Sequence, residues 1–454
     1  MPTQLPMMTV SGIRGQVPDV LTPYIIQAIA YIQTKIYGGN KVVVGRDTRP
    51  SGAILARAAF QGIRAAGGCP VDIGIAPTPT TCVAVQTLRA CCGIILTASH
   101  NPLPYNGYKM VHPSGRLFSG DECDAVYAEF HKGNYPAQSL FDNQPNIAAE
   151  TIDAIDLHIQ TILSAVDVAM IKNAHLHIAV DAINGAANAI LPRLCEKLGV
   201  MWTGINTGLD GNFVHNPEPR PEHLQELSQL LSQKSGFCGG FAFDPDADRL
   251  ALMGEKGEPI SEEMTLALGL ENILERKSGP VATNLSTSMV IDDVAKKYGC
   301  TVFRTKIGEA NVVEGMRAHN CIAGGEGNGG IIYPAISVVR DGPAALALIC
   351  ELMARKKTCL AQLAGKWPVY PIVKEKISSA GCNVQKTIAA LAKRFSGEQV
   401  DLQDGLKIIR SYGWVHIRPS NTEPIVRCYA EAQSAAQARE LADLITAEFN
   451  ACKQ

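Results

Sequence analysis

The sequence predicts an α/β protein built from several domains. Its 454 residues are too many for one ordinary hydrophobic core, which indicates three or four domains. Short β-branched runs alternate with longer segments of helical period, the pattern of layered α/β units. After Trp367 this alternation stops and closely spaced strands appear. We therefore expect three similar α/β domains followed by a smaller α+β domain.

The first domain is predicted over residues 1–150. The apolar run KVVVG at 41–45 has the length and composition of a buried parallel strand. Ser51 precedes a helical period and is a suitable N-cap. The predicted elements are helices over 21–37 and 51–66 and strands over 41–45, 71–75 and 93–97. The polar stretch 134–146 suits the junction to the second domain.

The alternation returns over residues 151–254 and 255–366, and a different pattern follows over 367–454. In the second domain we predict strands over 174–181 and 239–243 and helices over 186–198 and 222–233. In the third we predict helices over 262–276, 288–297 and 344–356 and strands over 280–285, 301–305 and 321–324. In the fourth we predict strands over 370–377, 407–411, 414–418 and 425–431, a helix over 384–395 and a final helix.

Composition excludes several classes of protein. The formal net charge of −2 gives no global field that would attract nucleic acid or an anionic membrane. The 14 cysteines are scattered, without zinc spacing, and are typical of reduced thiols in a cytosolic protein. The N-terminus has no signal-peptide profile, and no apolar run approaches the ~20 residues of a membrane span. We expect a cytoplasmic enzyme or binding protein.

The loop from Thr97 to Pro102 follows a predicted buried strand directly. Ligands in such sheets bind beyond the carboxyl ends of the strands, so Ser99 is well placed to face a cleft. A serine there can act as a nucleophile or phosphoryl carrier if another group activates it. His100 cannot be taken as that group from sequence, because adjacent side chains diverge. An N-cap serine in a plain turn is the alternative.

The run Asp244-Pro-Asp246-Ala-Asp248-Arg249 predicts a metal site. Three carboxylates in five residues repel one another unless a cation compensates them. Oxygen ligands select a hard ion such as Mg²⁺ or Ca²⁺. An EF-hand loop is excluded because Arg249 stands where that loop needs glycine, and because a strand precedes the run. A solvated acidic turn is the alternative.

Two further loops carry polar groups. The glycine-rich run 324–330 allows close backbone approach to a ligand, and its Glu326 and Asn328 suit sugar hydroxyls. The run 418–424 lies between two predicted strands and offers a guanidinium, hydroxyls and an amide, a suitable phosphate cradle with Arg427 beyond it. A plain turn is the alternative for each loop.

Lesser signals complete the set. Arg14 and Lys109 could act on phosphate or in proton transfer, and Arg46 with Asp47 is interpreted as a structural ion pair behind the Ser99 loop. Phosphoryl transfer needs positioning, a metal and cationic clamps. The four loops together therefore indicate metal-dependent phosphoryl transfer on a sugar phosphate.

The loops TASHNP, DPDADR, GEGNG and RPSNTEP, in this order, resemble the α-D-phosphohexomutase family over essentially the whole chain. The resemblance implies three mixed-sheet α/β domains and a smaller fourth domain around a central cleft. The catalytic residues it implies are Ser99, Lys109, Arg14 and His100. The metal ligands it implies are Ser99, Asp244, Asp246 and Asp248. The residues it implies for substrate are Arg249, Lys306, Glu326 and Asn328, and those for phosphate are Arg418, Ser420, Asn421, Thr422 and Arg427.

The resemblance also implies cofactors and a mechanism. It implies Mg²⁺, a phosphoserine at Ser99 and a hexose 1,6-bisphosphate as activator and intermediate. Phosphoserine donates to the sugar, the bisphosphate reorients, and the opposite phosphate returns to Ser99. The implied partners are small hexose phosphates, and neither nucleic acid nor a membrane is expected as a partner. The protein is expected to be a monomer or a homodimer.

The loops depart from the family pattern at two positions. Many members have serine in place of Asn328, and many bacterial members have histidine in place of Gly330, so the general base is open. The motifs are most similar to archaeal-type phosphoglucosamine mutases, with action on mannose or glucose phosphates as the alternative. Two other classes stay possible, a sugar phosphatase with Asp244 as nucleophile and a non-enzymatic sugar-phosphate-binding protein.

Overall fold

The computed structural model describes residues 5–138, 149–420 and 425–453, in four domains that confirm the predicted fold class. Each domain has its own sheet, and the first three are mixed α/β layers. Within the described ranges, no helix has the length and apolar character needed to cross a bilayer. The predicted domain limits at 150, 254 and 366 and the cytoplasmic location stay predictions.

The first domain has a seven-stranded sheet of order β1-β2-β6-β5-β3-β4-β7. Its strands are β1 Met7–Thr9, β2 Gly12–Gln16, β3 Lys41–Arg46, β4 Cys69–Ile75, β5 Cys92–Leu96, β6 Tyr105–Val111 and β7 Glu150–Thr151. Its helices are α1 Pro23–Tyr37, α2 Gly52–Ala65, α3 Thr78–Thr87 and α4 Gly120–His131. The parallel strands β3, β4 and β5 are apolar because helices cover both faces.

The second domain has a four-stranded sheet of order β11-β10-β8-β9. Its strands are β8 His177–Asp181, β9 Met201–Ile205, β10 Gly240–Phe243 and β11 Leu250–Met253. Its helices are α5 Ile155–Ala165, α6 Val168–Asn173, α7 Ala187–Leu198 and α8 Gln225–Gln233, with a 3₁₀ turn at Pro221–His223. Strand β10 runs parallel to β8, and the acidic run begins directly after the carboxyl end of β10.

The third domain has a four-stranded sheet of order β13-β12-β14-β15. Its strands are β12 Val281–Asn284, β13 Val302–Thr305, β14 Ala323–Glu326 and β15 Gly330–Ile332. Its helices are α9 Glu263–Arg276, α10 Val290–Lys297, α11 Glu309–Ala318, α12 Gly342–Lys356 and α13 Leu360–Ala364. The glycine-rich run is thus a tight hairpin between β14 and β15 and not an open loop.

The fourth domain has an antiparallel sheet of order β16-β20-β19-β18-β17. Its strands are β16 Ile372–Ser378, β17 Gln399–Asp401, β18 Leu406–Arg410, β19 Gly413–Pro419 and β20 Ile425–Ala432. Its helices are α14 Val384–Arg394 and α15 Ala435–Ala451. This domain has a separate apolar core, whereas one core cluster runs through the other three domains.

The structure differs from the sequence predictions in several elements, and two of the differences, at Ser51 and at strand β6, lie near the Ser99 loop. Ser51 occupies the N-cap position of α2, but its side chain makes no capping hydrogen bond and instead accepts one from Asn106 at 2.9 Å. The strand β6 was not predicted, because Asn106 and Gly107 are residues typical of turns. Gly107 is needed there because a Cβ would lie 2.5 Å from the carbonyl oxygen of Thr97 on the neighbouring chain segment.

Candidate active site

The Ser99 loop is held in a strained, buried conformation just beyond β5. Ser99 has a backbone φ of 48°, which is uncommon outside glycine, and is 2% exposed. Its amide donates to the hydroxyl of Thr97 at 2.9 Å, and that hydroxyl donates to Asp47 at 2.6 Å. The serine side chain is therefore presented by an ordered turn.

The guanidinium of Arg49 holds the Ser99 loop through several hydrogen bonds. Its guanidinium donates to the carboxylate of Asp47 at 3.0 Å and to the carbonyl oxygen of Ser99 at 2.7 Å. The other acceptors are the carbonyl oxygens of Asn101, Pro102 and Tyr105. The predicted ion pair of Arg46 with Asp47 is wrong, because Asp47 pairs with Arg49.

Three carboxylates converge beside Ser99. The side chains of Asp244, Asp246 and Asp248 are buried, and one ligand oxygen from each lies within 4.8 Å of the others. The hydroxyl of Ser99 donates to Asp244 at 3.0 Å, although the two residues are 145 positions apart. The structure thus brings together all four predicted metal ligands.

Some oxygens of the three carboxylates accept hydrogen bonds from the protein, and the others remain available to a cation. Oδ2 of Asp246 accepts from Thr78 and from Lys109, each at 2.7 Å. Oδ2 of Asp248 accepts from Lys109 at 3.3 Å and from Arg340 at 2.8 Å. The Oδ1 atoms of both carboxylates are buried and have no hydrogen-bond partner among the described residues. Two orphaned carboxylate oxygens beside a third carboxylate and a hydroxyl fit a hard divalent cation.

Burial and the charges of neighbouring groups shift the pKa values of these crowded acidic groups and of Lys109. Burial, with the neighbouring charges of Asp248 and Asp246, holds the pKa of Asp244 well above its ordinary value. Burial also opposes the charged form of Asp246, but the ammonium of Lys109 outweighs it and lowers that pKa. Burial opposes the charged form of Lys109, and the two carboxylates outweigh it and raise its pKa. Lys109 therefore stays an ammonium at neutral pH.

Three other predicted residues border the Ser99 hydroxyl and the carboxylates. His100 lies with Nδ1 3.4 Å from Ser99 Oγ, and burial beside Arg249 and Arg14 lowers its pKa to about 3. Arg14 donates to the side-chain oxygen of Asn101 at 3.1 Å. Arg249 Nε lies 3.7 Å from Asp248 Oδ1. All three thus border the same site.

The three predicted substrate residues of the third domain differ in exposure, because Glu326 is buried, Asn328 is half-buried and Lys306 is exposed. Glu326, 6% exposed, accepts from Asn284 at 2.8 Å and from Arg340 at 3.1 Å. Asn328 accepts from Arg340 through its side-chain oxygen at 3.3 Å. Lys306 is exposed beyond the end of β13 and makes no side-chain hydrogen bond with this pair.

The predicted phosphate clamp lies on the fourth domain. Arg418 and Arg427 are direct neighbours across β19 and β20. Like charges opposite one another are unfavourable unless an anion compensates them. Burial lowers the pKa of Arg418, while Asp404 and Glu326 act in the opposite sense. Ser420 donates its amide to the carbonyl oxygen of Ile425; Asn421 and Thr422 lie outside the described residues.

Sequence reasoning missed three residues that shape the site, Arg49, Thr78 and Arg340. Arg49 stands in the run GRDTR, where the spacing does not distinguish it from Arg46. Thr78 opens α3 in a Pro-Thr-Pro run. Arg340 directly precedes the N-cap Asp341 of α12, and its place at a predicted helix start is the one available signal.

Comparison with known proteins agrees with this architecture. The four family models of phosphoglucomutase/phosphomannomutase match residues 7–136 (domain I), 156–257 (domain II), 261–370 (domain III) and 372–448 (C-terminal domain). A "Probable phosphoglucosamine mutase" of Methanopyrus kandleri is 34% identical over 95% of both chains. A "Phosphoglucomutase/phosphomannomutase" of Thermococcus kodakarensis is 36% identical over 95% of this chain and 96% of the relative.

Solved structures give the same result. The crystal structure of a phosphoglucomutase/phosphomannomutase family protein from Burkholderia thailandensis superposes with a TM-score of 0.86 at 28% identity, over 98% of this chain and 97% of the other. The four ordered loops, the four sheets and these full-length matches agree with one another. The chain belongs to the phosphoglucomutase/phosphomannomutase family of phosphohexomutases.

Proposed function

We propose that this protein is a Mg²⁺-dependent phosphohexomutase that interconverts hexose 1-phosphates and 6-phosphates through a phosphoserine at Ser99. The preferred reaction is glucosamine 6-phosphate to glucosamine 1-phosphate, and the name of the Methanopyrus relative supports this choice. The name of the Thermococcus relative supports the alternative, action on glucose or mannose phosphates. We also propose that the protein is a monomer or a homodimer and that it is located in the cytoplasm.

One observation carries the proposal. The Ser99 hydroxyl lies 3.0 Å from a carboxylate of Asp244, within a cluster of three aspartates and beside the buried ammonium of Lys109. A structural N-cap serine needs none of these neighbours. A serine that carries a phosphoryl group needs both a cation and a fixed positive charge.

The chemistry follows in two half-reactions. In the first, the bond between phosphorus and Ser99 Oγ breaks, phosphorus bonds to the free hydroxyl oxygen of the sugar, and the hydroxyl proton leaves to a base. The resulting 1,6-bisphosphate turns end for end. In the second, the bond between the opposite phosphorus and its sugar oxygen breaks, that phosphorus bonds to Ser99 Oγ, Ser99 Oγ releases the proton it took up when its first phosphate left, and the sugar oxygen takes up a proton.

The residues around Ser99 take distinct roles. The three aspartates and an oxygen at Ser99 would hold Mg²⁺, which would supply positive charge for the phosphoryl oxygens. Lys109 and Arg14 are the cations proposed to stabilise charge, and the ammonium of Lys109 lies 2.7 Å from the carboxylate of Asp246. His100 is neutral at that pH, with a pKa of about 3, and its Nδ1 lies 3.4 Å from Ser99 Oγ, farther than the Asp244 carboxylate at 3.0 Å.

The remote phosphate clamp holds the end that is not reacting. Arg418, Ser420, Asn421, Thr422 and Arg427 are the residues proposed for it. Because the intermediate presents a phosphate at either end, the clamp must accept both orientations. Binding free energy at that distant phosphate then positions the reacting one. Glu326 and Asn328 hold sugar hydroxyls or an amine, with Arg249 and Lys306 at the substrate phosphates.

The test is ³¹P NMR of the purified protein with Mg²⁺ and a trace of glucose 1,6-bisphosphate. Glucosamine, glucose and mannose 1-phosphates are offered separately to wild type, Ser99→Ala and Ser164→Ala. Ser164 is an exposed serine of α5 and serves as the matched control. We expect conversion to the 6-phosphate in wild type and Ser164→Ala and none in Ser99→Ala. Release of inorganic phosphate, or turnover in Ser99→Ala, supports a phosphatase with Asp244 as nucleophile instead.

A further inference from the structure

Arg340 is a buried cation that joins the run Asp244–Asp248, called the metal loop, to the glycine-rich run 324–330, called the sugar loop. Its side chain is 9% exposed and lies between two loops of different domains. One terminal nitrogen donates to Asp248 at 2.8 Å. The other donates to Glu326 at 3.1 Å and to Asn328 at 3.3 Å. A single guanidinium thus contacts one metal-loop carboxylate and both proposed sugar residues.

The opposite edge of Arg340 is fixed by Glu309. The backbone amide of Arg340 donates to Oε1 of Glu309 at 2.8 Å, and its Nε donates to Oε2 at 3.1 Å. Glu309 is the first residue of α11 and is buried. Because both oxygens of Glu309 are used, the guanidinium is held in one orientation.

Gly330 provides the space that this orientation requires. A Cβ at Gly330 would lie 2.3 Å from Cδ and 2.7 Å from Cγ of Arg340. Any larger residue would push the arginine stem away from the hairpin. The glycine at the start of β15 and the arginine before α12 are therefore one structural unit.

Arg340, held in place beside Gly330, determines which side-chain atoms of the sugar loop accept hydrogen bonds and which can donate them. A guanidinium has only donors, so Asn328 must turn its side-chain oxygen toward Arg340. The NH₂ group of Asn328 is then the part left to donate to a ligand. Glu326 gives Oε2 to Arg340, while its Oε1 accepts from Asn284 and from the amide of Gly308. The acceptor and the donor are each fixed before a sugar binds.

We propose that Arg340 is the positioning residue that determines sugar preference at this loop. The inference rests on the proposed function, in which Glu326 and Asn328 contact the hexose. Arg340 acts through these two side chains. A hydroxyl and an ammonium differ in that an ammonium only donates, so a fixed donor at Asn328 and a fixed acceptor at Glu326 distinguish them.

The test compares binding of glucosamine 6-phosphate and glucose 6-phosphate by isothermal titration calorimetry with Mg²⁺ present. The measured quantity is the ratio of the two dissociation constants, which needs no turnover. Arg340→Lys keeps the charge but loses the fork that reaches both loops. Gly330→Ala removes no polar group and displaces Arg340 through contact with its apolar stem.

The matched control is Gly269→Ala. Its new Cβ would lie 2.4 Å from the Cδ1 of Ile331, the residue after Gly330, and would not approach Arg340. It therefore causes a similar steric intrusion on the same hairpin at the flexible end of a side chain. A general loss of packing would affect Gly269→Ala and Gly330→Ala alike.

We expect the ratio to change by about fivefold or more in Arg340→Lys and Gly330→Ala, the effect of one polar contact, and to stay at the wild-type value in Gly269→Ala. An unchanged ratio in either of the first two variants, with thermal midpoints close to wild type, would overturn the inference and leave the mutase proposal intact. Failure of wild type to bind either sugar phosphate would overturn both, and the ³¹P experiment would then fail as well.

Discussion

The order of the Ser99 loop depends on one arginine, and replacing Arg49 with lysine is the sharpest test of this view. All five N–H groups of the Arg49 guanidinium are engaged, one with Asp47 and four with backbone carbonyl oxygens. The Arg49 side chain is 0% exposed, so water cannot replace a lost partner. Lysine keeps the charge beside Asp47 and keeps the length of the side chain approximately.

The magnitude follows from counting donors. A lysine ammonium has three N–H groups at one point, so at least two of the five acceptors around Arg49 lose their partner. Each unsatisfied buried carbonyl costs about 1–3 kcal/mol. We therefore expect Arg49→Lys to lower the local free energy of opening of this loop by about 2–6 kcal/mol.

Hydrogen exchange read by mass spectrometry is the suitable assay, because a protein of four domains does not unfold in one two-state step. The amides of Ser99, Asn101 and Tyr105 donate within the loop and report its opening. A loss of 2 kcal/mol corresponds to exchange about 30-fold faster. The control is Arg439→Lys, because Arg439 is 51% exposed and pairs only on the surface.

The outcome separates two views of the loop. Exchange in Arg49→Lys that stays within about threefold of wild type would refute the argument that the arginine fork orders the loop. Faster exchange limited to this loop, with the fourth domain unchanged, would support it. Equal acceleration in Arg439→Lys would show a global effect and would also count against the argument.

Three further predictions address metal binding, pH and domain contacts. Thr78→Val removes the hydroxyl that orients Asp246 and should weaken Mn²⁺ binding by about tenfold or more, measured by calorimetry. The control is Thr81→Val, whose buried hydroxyl has no partner in the described ranges, and it should leave Mn²⁺ binding unchanged. Burial lowers the pKa of His416 from 6.5 to about 4, so its neutral form contributes up to about 3 kcal/mol above pH 6.5 that is lost as pH falls toward 4. The urea transition of the fourth domain, which has its own apolar core, should show this loss between pH 7 and pH 4.5 in wild type, and the same loss in His416→Gln would contradict it. His158 bridges a hydroxyl of the first domain and a carboxylate of the third, so His158→Leu should lower the local free energy of opening of α5, measured by hydrogen exchange, by about 2–4 kcal/mol, and a change below about 0.5 kcal/mol would contradict the bridge.

The fold class and the loops that carry chemistry could be predicted from sequence because their signals are local. A strand is short and apolar, and the residue that follows it stands at the edge of the sheet. For this reason Ser99 and the run from Asp244 to Asp248 could be identified without coordinates. Gly107 shows the limit, because a turn residue inside β6 is required by close approach of another segment, which no local pattern reveals.

The pairing of distant segments depends on how the domains pack and is not visible in the sequence. Lys109 reaches Asp246 across 137 positions, and Arg340 reaches Asp248 across 92. Neither pairing follows from spacing, because each joins sheets of different domains whose docking depends on the whole apolar core. The choice of Arg49 over Arg46 as partner of Asp47 has the same origin. The local sequence motifs reveal which groups are available for phosphoryl transfer. The packing of the domains controls which of those groups meet, because contact between sheets is set by buried surface and not by position along the chain.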